Sequence, residues 1–406
     1  MRILLLTQWF DPEPSFKGLA FARELRALGH DVEVLTAFPN YPGGVIYPGY
    51  TLRWRQEERL EGFRIRRVWV YPSHDRNPIR RIISYGSFAL TALLGGLRGM
   101  QRPDVIYAYH PPMTIGIPAV ALGWWWGVPF VLDVQDLWPD TVATSGMMSS
   151  RPVLAVLSAF CNFVYRRAAH IAVLSQGFRR TLIGRGVPEH KVSVIRNWAD
   201  EGRLAFAPPD PAFKTTLGFD GRLVVLFAGT MGAGQALDVI LDAARLARSR
   251  VPAALFVFVG DGTARAELER EAATLDNVRF LPRQPLDAMG PILAMSDLLL
   301  VSLRDDALFR ITIPSKTQAY LASGRPILMC VAGEAAEIVD EARAGMVVPP
   351  GSADAIVHAL ERFSALSEGE RAELGANGKH YYDTHLSLRQ GVATFGALFK
   401  QVVEQS

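Results

Sequence analysis

A chain of 406 residues exceeds what one ordinary hydrophobic core organises, so two domains are expected. Hydrophobic residues make up 49% and charged residues 20%, a balance that excludes an intrinsically disordered chain. The formal net charge is only +3, yet residues 51–102 hold eleven arginines against four carboxylates, so one part of the first half is strongly basic.

The opening run Met1-Arg2-Ile3-Leu4-Leu5-Leu6 is apolar for too few residues to form a signal-peptide core and predicts a first β-strand. Further buried strands are expected at Val32–Leu35, Val105–Tyr107, Phe130–Val134 and Ile171–Leu174. Helical periodicity marks Phe16–Leu28, Ile79–Leu97, Val153–Ala168 and Gln176–Arg185. Gly29-His30-Asp31 closes the first helix with a C-cap glycine. Alternating βαβ units of this kind imply a parallel sheet with helices on both faces. Ile82–Leu97 and Met113–Val134 are apolar enough to test as membrane spans. The first is short and broken by Ser84, Ser87, Gly95 and Gly96, the second by Pro118, Pro129 and Asp133, so neither is expected to span.

Pro208-Pro209-Asp210-Pro211 forbids both helix and central strand and is the expected linker. The alternation then restarts, with strands at Leu223–Phe227, Ala254–Val259, Val278–Leu281, Leu298–Ser302 and Ile327–Met329. Helices are expected at Leu237–Ala247, Ala264–Thr274, Leu286–Ala294, Lys316–Ser323 and Ala353–Leu366. The tail from Glu373 reads as helical with a break around His380–Leu386, and its end is expected to pack back on the first domain. The reading is α/β: residues 1–200 with a tail from about 385 to 406 form one doubly wound, Rossmann-like domain, and 201–384 form the second. Two such domains would face each other across a cleft at the carboxyl ends of their sheets.

The richest chemistry follows the strand Leu298–Ser302. The run Ile313-Pro314-Ser315-Lys316-Thr317-Gln318 feeds a helix that ends at Gly324-Arg325-Pro326. A helix N-terminus carries unpaired N–H groups and partial positive charge, and Lys316 adds a full one. After Leu223–Phe227, the loop Gly229-Thr230-Met231-Gly232-Ala233-Gly234-Gln235 lets backbone approach a phosphate closely. Together they favour a diphosphate ligand in the second domain.

In the first domain, Thr7–Gly18 lacks the glycine repeat of a dinucleotide fingerprint and serves either as substrate contact, through Lys17 and Gly18, or as a cover loop. Gln135, Asp136 and Asp140 follow the strand Phe130–Val134. Asp136 and Asp140 suit sugar hydroxyls or proton abstraction, while Asp140 equally suits a helix cap. Asn197 sits near the domain junction as a further cleft candidate. Cys161 and Cys330 lie in apolar contexts without metal-ligand spacing, consistent with buried thiols in a reducing compartment. No Asp-x-Asp motif or histidine cluster appears, and no metal or other cofactor is expected.

These motifs resemble those of a known family. Gly29-His30-Asp31-Val32, Phe38-Pro39-Asn40-Tyr41-Pro42, Asp136-Leu137-Trp138-Pro139-Asp140, Gly260-Asp261-Gly262, Pro314-Ser315-Lys316 and Ala322-Ser323-Gly324-Arg325-Pro326 occur in the order found in GT-B glycosyltransferases of family 4. The closest look is to the branch making O-antigen and capsule repeats, including N-acetyl-L-fucosamine and fucose transferases. The resemblance implies retaining transfer from a UDP- or GDP-sugar held by the second domain. The acceptor it implies is an undecaprenyl-diphosphate-linked saccharide at the cytoplasmic face of the plasma membrane. The expected donor contacts are Gly229, Thr230, Gly232, Gln235, Gly260, Asp261, Leu281, Arg283, Ser315 and Gln318, and Lys316, Arg310 and Asp136 are the residues expected in catalysis.

Three departures from the family pattern stand out. The Glu-x7-Glu carboxylates fall on Ile311 and Ala319, the diphosphate-holding Arg and Lys on Thr230 and Gln235, and a family histidine on Gln135. Lys316 and Arg310 are expected to supply the missing charge, and Gln318 or Asp305 the missing ribose acceptor. The basic stretch, the helix Ile82–Leu97 and Trp124-Trp125-Trp126 read as a peripheral anchor on an anionic membrane, or as a buried crossover helix with core tryptophans. Two rivals remain at this stage: a nucleotide-sugar epimerase of the same architecture, and a nucleic-acid-binding protein, for which no accompanying signature appears.

Overall fold

The computed structural model describes residues 1–73, 77–144, 150–208 and 210–406. Asp75 and Arg76 of the basic stretch and Pro209 of the expected linker lie outside the described residues. By its internal contacts the chain separates into two units, Met1–Arg196 with Gly391–Ser406, and Asn197–Gln390. The chain thus passes between units at Arg196–Asn197 rather than 200–201, and returns at Gln390–Gly391 rather than near 385. The described residues of Pro208–Pro211 lie inside the second unit, so this proline cluster is not the crossing point.

The first unit holds β1 (Arg2–Thr7), β2 (Asp31–Ala37), β3 (Arg55–Leu60), β4 (Phe63–Val68), β5 (Val105–His110), β6 (Phe130–Val134), β7 (His170–Val173) and β8 (Val192–Val194). They form one sheet in the order β3-β4-β2-β1-β5-β6-β7-β8, parallel except for β3. Continuous apolar runs such as Ile3–Leu6 are buried on both faces, as a parallel sheet covered by helices demands. Helix Leu19–Ala27 and the terminal helix Leu388–Glu404 meet through the edge-to-face pair Phe21–Phe395.

The β3–β4 hairpin corrects the reading of the basic stretch. It turns at Glu61-Gly62, both with positive φ, the conformation a two-residue hairpin loop requires. Arg66 and Arg67 are fully buried and pair across the hairpin with Glu57 and Glu58. Arg66 also donates to Gly95 O at 2.7 Å and Arg67 to Ala37 O at 3.1 Å, so these guanidiniums brace the sheet edge instead of presenting charge to solvent.

The second unit contains β9 (Leu223–Ala228), β10 (Ala254–Val259), β11 (Val278–Leu281), β12 (Leu298–Ser302), β13 (Ile327–Cys330) and β14 (Gly345–Val347). Its all-parallel sheet has the order β11-β10-β9-β12-β13-β14, the doubly wound arrangement whose strand order reverses between β9 and β12. One core layer gathers Val224, Leu226, Val257, Leu299, Tyr320 and Leu321. The other gathers Val225, Phe227, Phe256, Leu300, Ile240 and Phe363 on the opposite face. The expected break at His380–Leu386 is a π-helical turn, Tyr382–Leu386, continuing the helix Glu368–Tyr381. Its Tyr382 hydroxyl donates to Glu201 at 2.6 Å and accepts from Ala199 N at 3.0 Å, tying this helix to the start of the unit.

Candidate active site

In the second unit, two loops and one helix converge at the reversal between β9 and β12. Gly229 follows β9 with φ +139°, and a Cβ there would lie 2.7 Å from Cε of Lys316, so the lysine stem occupies the space a side chain would need. Gly260 follows β10 with φ +140°, and a Cβ on it would collide with the carbonyl of Gly229. Gly262 abuts Met231 O in the same way, while a Cβ on Gly234 would lie 3.0 Å from Phe309 Cζ. Backbone bonds Gly229 N to Val259 O and Met231 N to Asp261 O, both 2.8 Å, lock the two loops together. Here the glycines serve close approach of backbone to backbone and to Lys316.

Lys316 stands in the first turn of the helix Ser315–Ala322. Four residues on, Tyr320 accepts from Ala228 N at 3.0 Å, pinning that helix to the end of β9. The ammonium lies 3.4 Å from the centroid of the Phe227 ring and donates to Gln235 Oε1 at 3.1 Å. Burial pushes its pKa down to about 7. Among the described residues this ammonium has one neutral acceptor and an aromatic face but no carboxylate in an ion pair with it, and a phosphate oxygen would supply the counter-anion.

The remaining donor candidates are distributed more loosely. Thr230, Asp261 and Arg283 are exposed, Gly232 is half-buried in the first loop, and Ser315 is exposed at the helix start. Asp261 accepts from Gly262 N at 2.7 Å, shaping its own loop. Leu281 O receives Arg265 at 3.2 Å. Gln318 is buried, and with its amide nitrogen turned inward it donates to Pro314 O at 2.9 Å and Ser315 O at 3.3 Å, which makes it a brace of the lysine's turn. Arg310 is exposed and held by Asp305 through two 2.7 Å hydrogen bonds. The two residues expected to supply charge and a ribose acceptor are therefore bound to each other.

The first unit places a different chemistry at its own reversal point, between β1 and β5. Lys17 is fully buried between Phe395 (4.9 Å to the ring centroid) and Phe21 (5.7 Å). Burial lowers its pKa to about 8, against the opposing pull of Asp133. Asp133, at 0% exposure, accepts from the Tyr107 hydroxyl and from Gln135 Nε2 at 2.6 Å, and burial raises its pKa. Glu13, pushed up to about 7 by burial, accepts from Asn40 N and Tyr41 N at 2.7 Å and from Phe10 N at 3.2 Å, stitching the β1 loop to the β2 loop. Gly18 makes room for Asp11, whose carboxylate accepts from Leu19 N at 2.6 Å to start the first helix.

Asp136 is half-buried and burial raises its pKa, which suits a proton-handling carboxyl. Asp140 stands in the first turn of the helix Asp140–Thr144 and pairs with Arg185. Asn197 belongs to the second unit, as its first residue. Sequence reasoning did not select Phe227, Tyr320, Glu13, Tyr107 or the buried His110, whose pKa burial lowers to about 3. Phe227 and Tyr107 sit in apolar strand runs that read as core, and no local signal set them apart.

The fold defines a two-domain α/β protein of the GT-B class. Residues 19–198 match the Glycosyl transferase 4-like domain and 222–365 match Glycosyl transferases group 1, so the chain belongs to the GT-B glycosyltransferases and has glycosyltransferase activity. Among relatives, the chain is 28% identical over 310 residues to WcaI of Escherichia coli K12, which is named for colanic acid biosynthesis glycosyl transfer, covering 74% of this chain and 75% of that one. It is 26% identical to WbjE of Pseudomonas aeruginosa, which bears a glycosyltransferase name, over 74% and 76% of the two chains. The solved structure of Anabaena HepE in complex with UDP-glucose superposes with a TM-score of 0.68 at 16% identity, over 100% of both chains, a likeness of fold.

Proposed function

We propose that this protein is a retaining, metal-independent glycosyltransferase that moves a hexosyl or acetamidohexosyl group, of fucose or N-acetylfucosamine type, from a UDP- or GDP-sugar. The acceptor in this reading is an undecaprenyl-diphosphate-linked saccharide, in assembly of O-antigen, capsule or exopolysaccharide at the cytoplasmic membrane face. The observation that carries it is Lys316, its ammonium partly desolvated on the Phe227 ring against Gly229, beside glycine loops braced for close approach. The names of WcaI and WbjE and the UDP-glucose in HepE support the donor class and the polysaccharide setting.

In the proposed step the bond from the anomeric carbon to the diphosphate breaks, and the departing charge is met by Lys316 and the adjacent helix N-terminus. The acceptor hydroxyl attacks the same face, and its proton passes to the leaving diphosphate oxygen. Arg310 contributes only by exchanging Asp305 for phosphate. Asp136 serves the acceptor side as a hydroxyl partner.

A panel of UDP- and GDP-sugars is to be offered with lipid-linked acceptors and the lipid product read by mass spectrometry. A mass increase of one sugar, dependent on both substrates, is expected. Conversion of the nucleotide-sugar without acceptor would replace this reading with the epimerase, and no transfer together with no nucleotide binding by calorimetry would sink it.

A further inference from the structure

We propose that the helices Pro78–Gly96, Gly116–Trp126 and Arg151–Arg167 of the first unit form a single face that docks on an anionic lipid bilayer. This deepens the lipid-acceptor reading and rests on it for its purpose, but it stands on separate observations. The helices are packed as one layer: a Cβ on Gly96 would lie 2.6 Å from Leu122, and one on Gly116 would lie 2.6 Å from Val164. Their inner sides are buried through Phe88, Ala92, Leu122 and Val164.

Their outer sides are apolar, which is unusual for crossover helices that face solvent. Of the sixteen large apolar side chains exposed among the described residues, eleven lie on these three helices. Ile79, Ile83, Leu90 and Leu94 recur at helical spacing along one side of the first. Trp124 is 83% exposed, Trp125 60% and Val156 71%, so the expectation of core tryptophans fails for the first two.

Charge selects the occupant. No Asp or Glu occurs on any of the three helices, whereas Arg80, Arg81, Arg151, Arg166 and Arg167 do. A second copy would set this cationic face against itself, whereas lipid phosphates complement it and the interface between headgroup and chain accepts tryptophan. No helix among the described residues is long and apolar enough to cross a membrane, so the face lies on the bilayer.

The test is flotation of the full chain with vesicles of phosphatidylcholine alone and of phosphatidylcholine with phosphatidylglycerol, at low and high salt. Wild type is expected to float with the anionic vesicles and to be weakened by salt. Trp124→Ser with Trp125→Ser should lower partitioning by about tenfold or more at either salt. Arg151→Gln with Arg166→Gln should lower it roughly 30-fold on anionic vesicles only, at about 1 kcal/mol per arginine. All four side chains are exposed, and unchanged melting temperatures confirm folding. Wild type remaining soluble with anionic vesicles at low salt overturns the proposal. So does a tryptophan variant that floats like wild type, or a wild-type dimer that the tryptophan variant dissociates. Nucleotide binding by calorimetry on the same samples reads the donor site separately, so failure of the face and failure of the transferase reading are distinguishable.

Discussion

The carboxyl edges of the two sheets solve the same topological problem with opposite materials. At the β1/β5 reversal the first unit packs ionisable side chains beside one another: Lys17 in the field of Asp133, Asp133 hydrogen-bonded to Tyr107 and Gln135, and Glu13 to three backbone N–H groups. At the β9/β12 reversal the second unit removes side chains, using Gly229, Gly260 and Gly262, and leaves a single lysine with a neutral acceptor. A buried cluster of opposite charges and hydrogen bonds is built to hold shape, whereas a lysine set against a neutral acceptor is suited to receive an anion. The first edge should therefore respond to mutation mainly in stability, and the second mainly in chemistry.

The comparison breaks most visibly at Lys17. Lys17→Met fits the aromatic slot but strands Asp133, and should destabilise the first unit by about 3–5 kcal/mol, read by denaturant unfolding, with nucleotide affinity unchanged. A matching loss of nucleotide binding would show the two edges are not functionally separate. Next in size, Lys316→Ala should lower kcat/KM about 10²–10³-fold with little loss in melting temperature, because the variant removes a partly desolvated ammonium and the acceptor left behind, Gln235 Oε1, is on a half-buried residue that water can reach. Near-normal turnover would remove Lys316 from the mechanism.

Proton linkage sharpens the contrast further. The Lys316 pKa is lowered from its ordinary 10.5 to about 7, so the free site loses its charge as pH rises through 7. A bound diphosphate raises that pKa again, so donor binding above pH 7 takes up a proton and Kd should weaken by up to about tenfold per pH unit. Calorimetry at pH 8 in buffers of different ionisation enthalpy checks this, and zero proton uptake would contradict it. The smallest effect is expected at Asp305→Ala. The Asp305–Arg310 pair is solvent-exposed and screened, so melting should not change measurably, and any gain in donor affinity would reveal that Arg310 is released to bind it.

The sequence was informative wherever a signal was local. Buried parallel strands are unbroken apolar runs, so Ile3–Leu6, Phe130–Val134 and Leu298–Ser302 were legible at nearly their true bounds. The β3–β4 hairpin was not, because its alternation is carried by arginine and glutamate, and only pairing across the strands lets Arg66 and Arg67 be buried. The order of strand, glycine loop and lysine-bearing helix was legible too, and the structure brings Lys316 against Gly229.

By itself, then, the chain determined two doubly wound domains, their glycosyltransferase motifs and the placement of a lysine at a helix start. Tertiary structure alone decided which charges are spent internally and which remain available. Arg66, Arg67, Arg310 and Asp140 are each consumed by a partner, close or distant in sequence, while Lys316 is left on an aromatic ring. The physical reason is that period and propensity act over a few residues, whereas desolvation and ion pairing depend on atoms brought together by the fold.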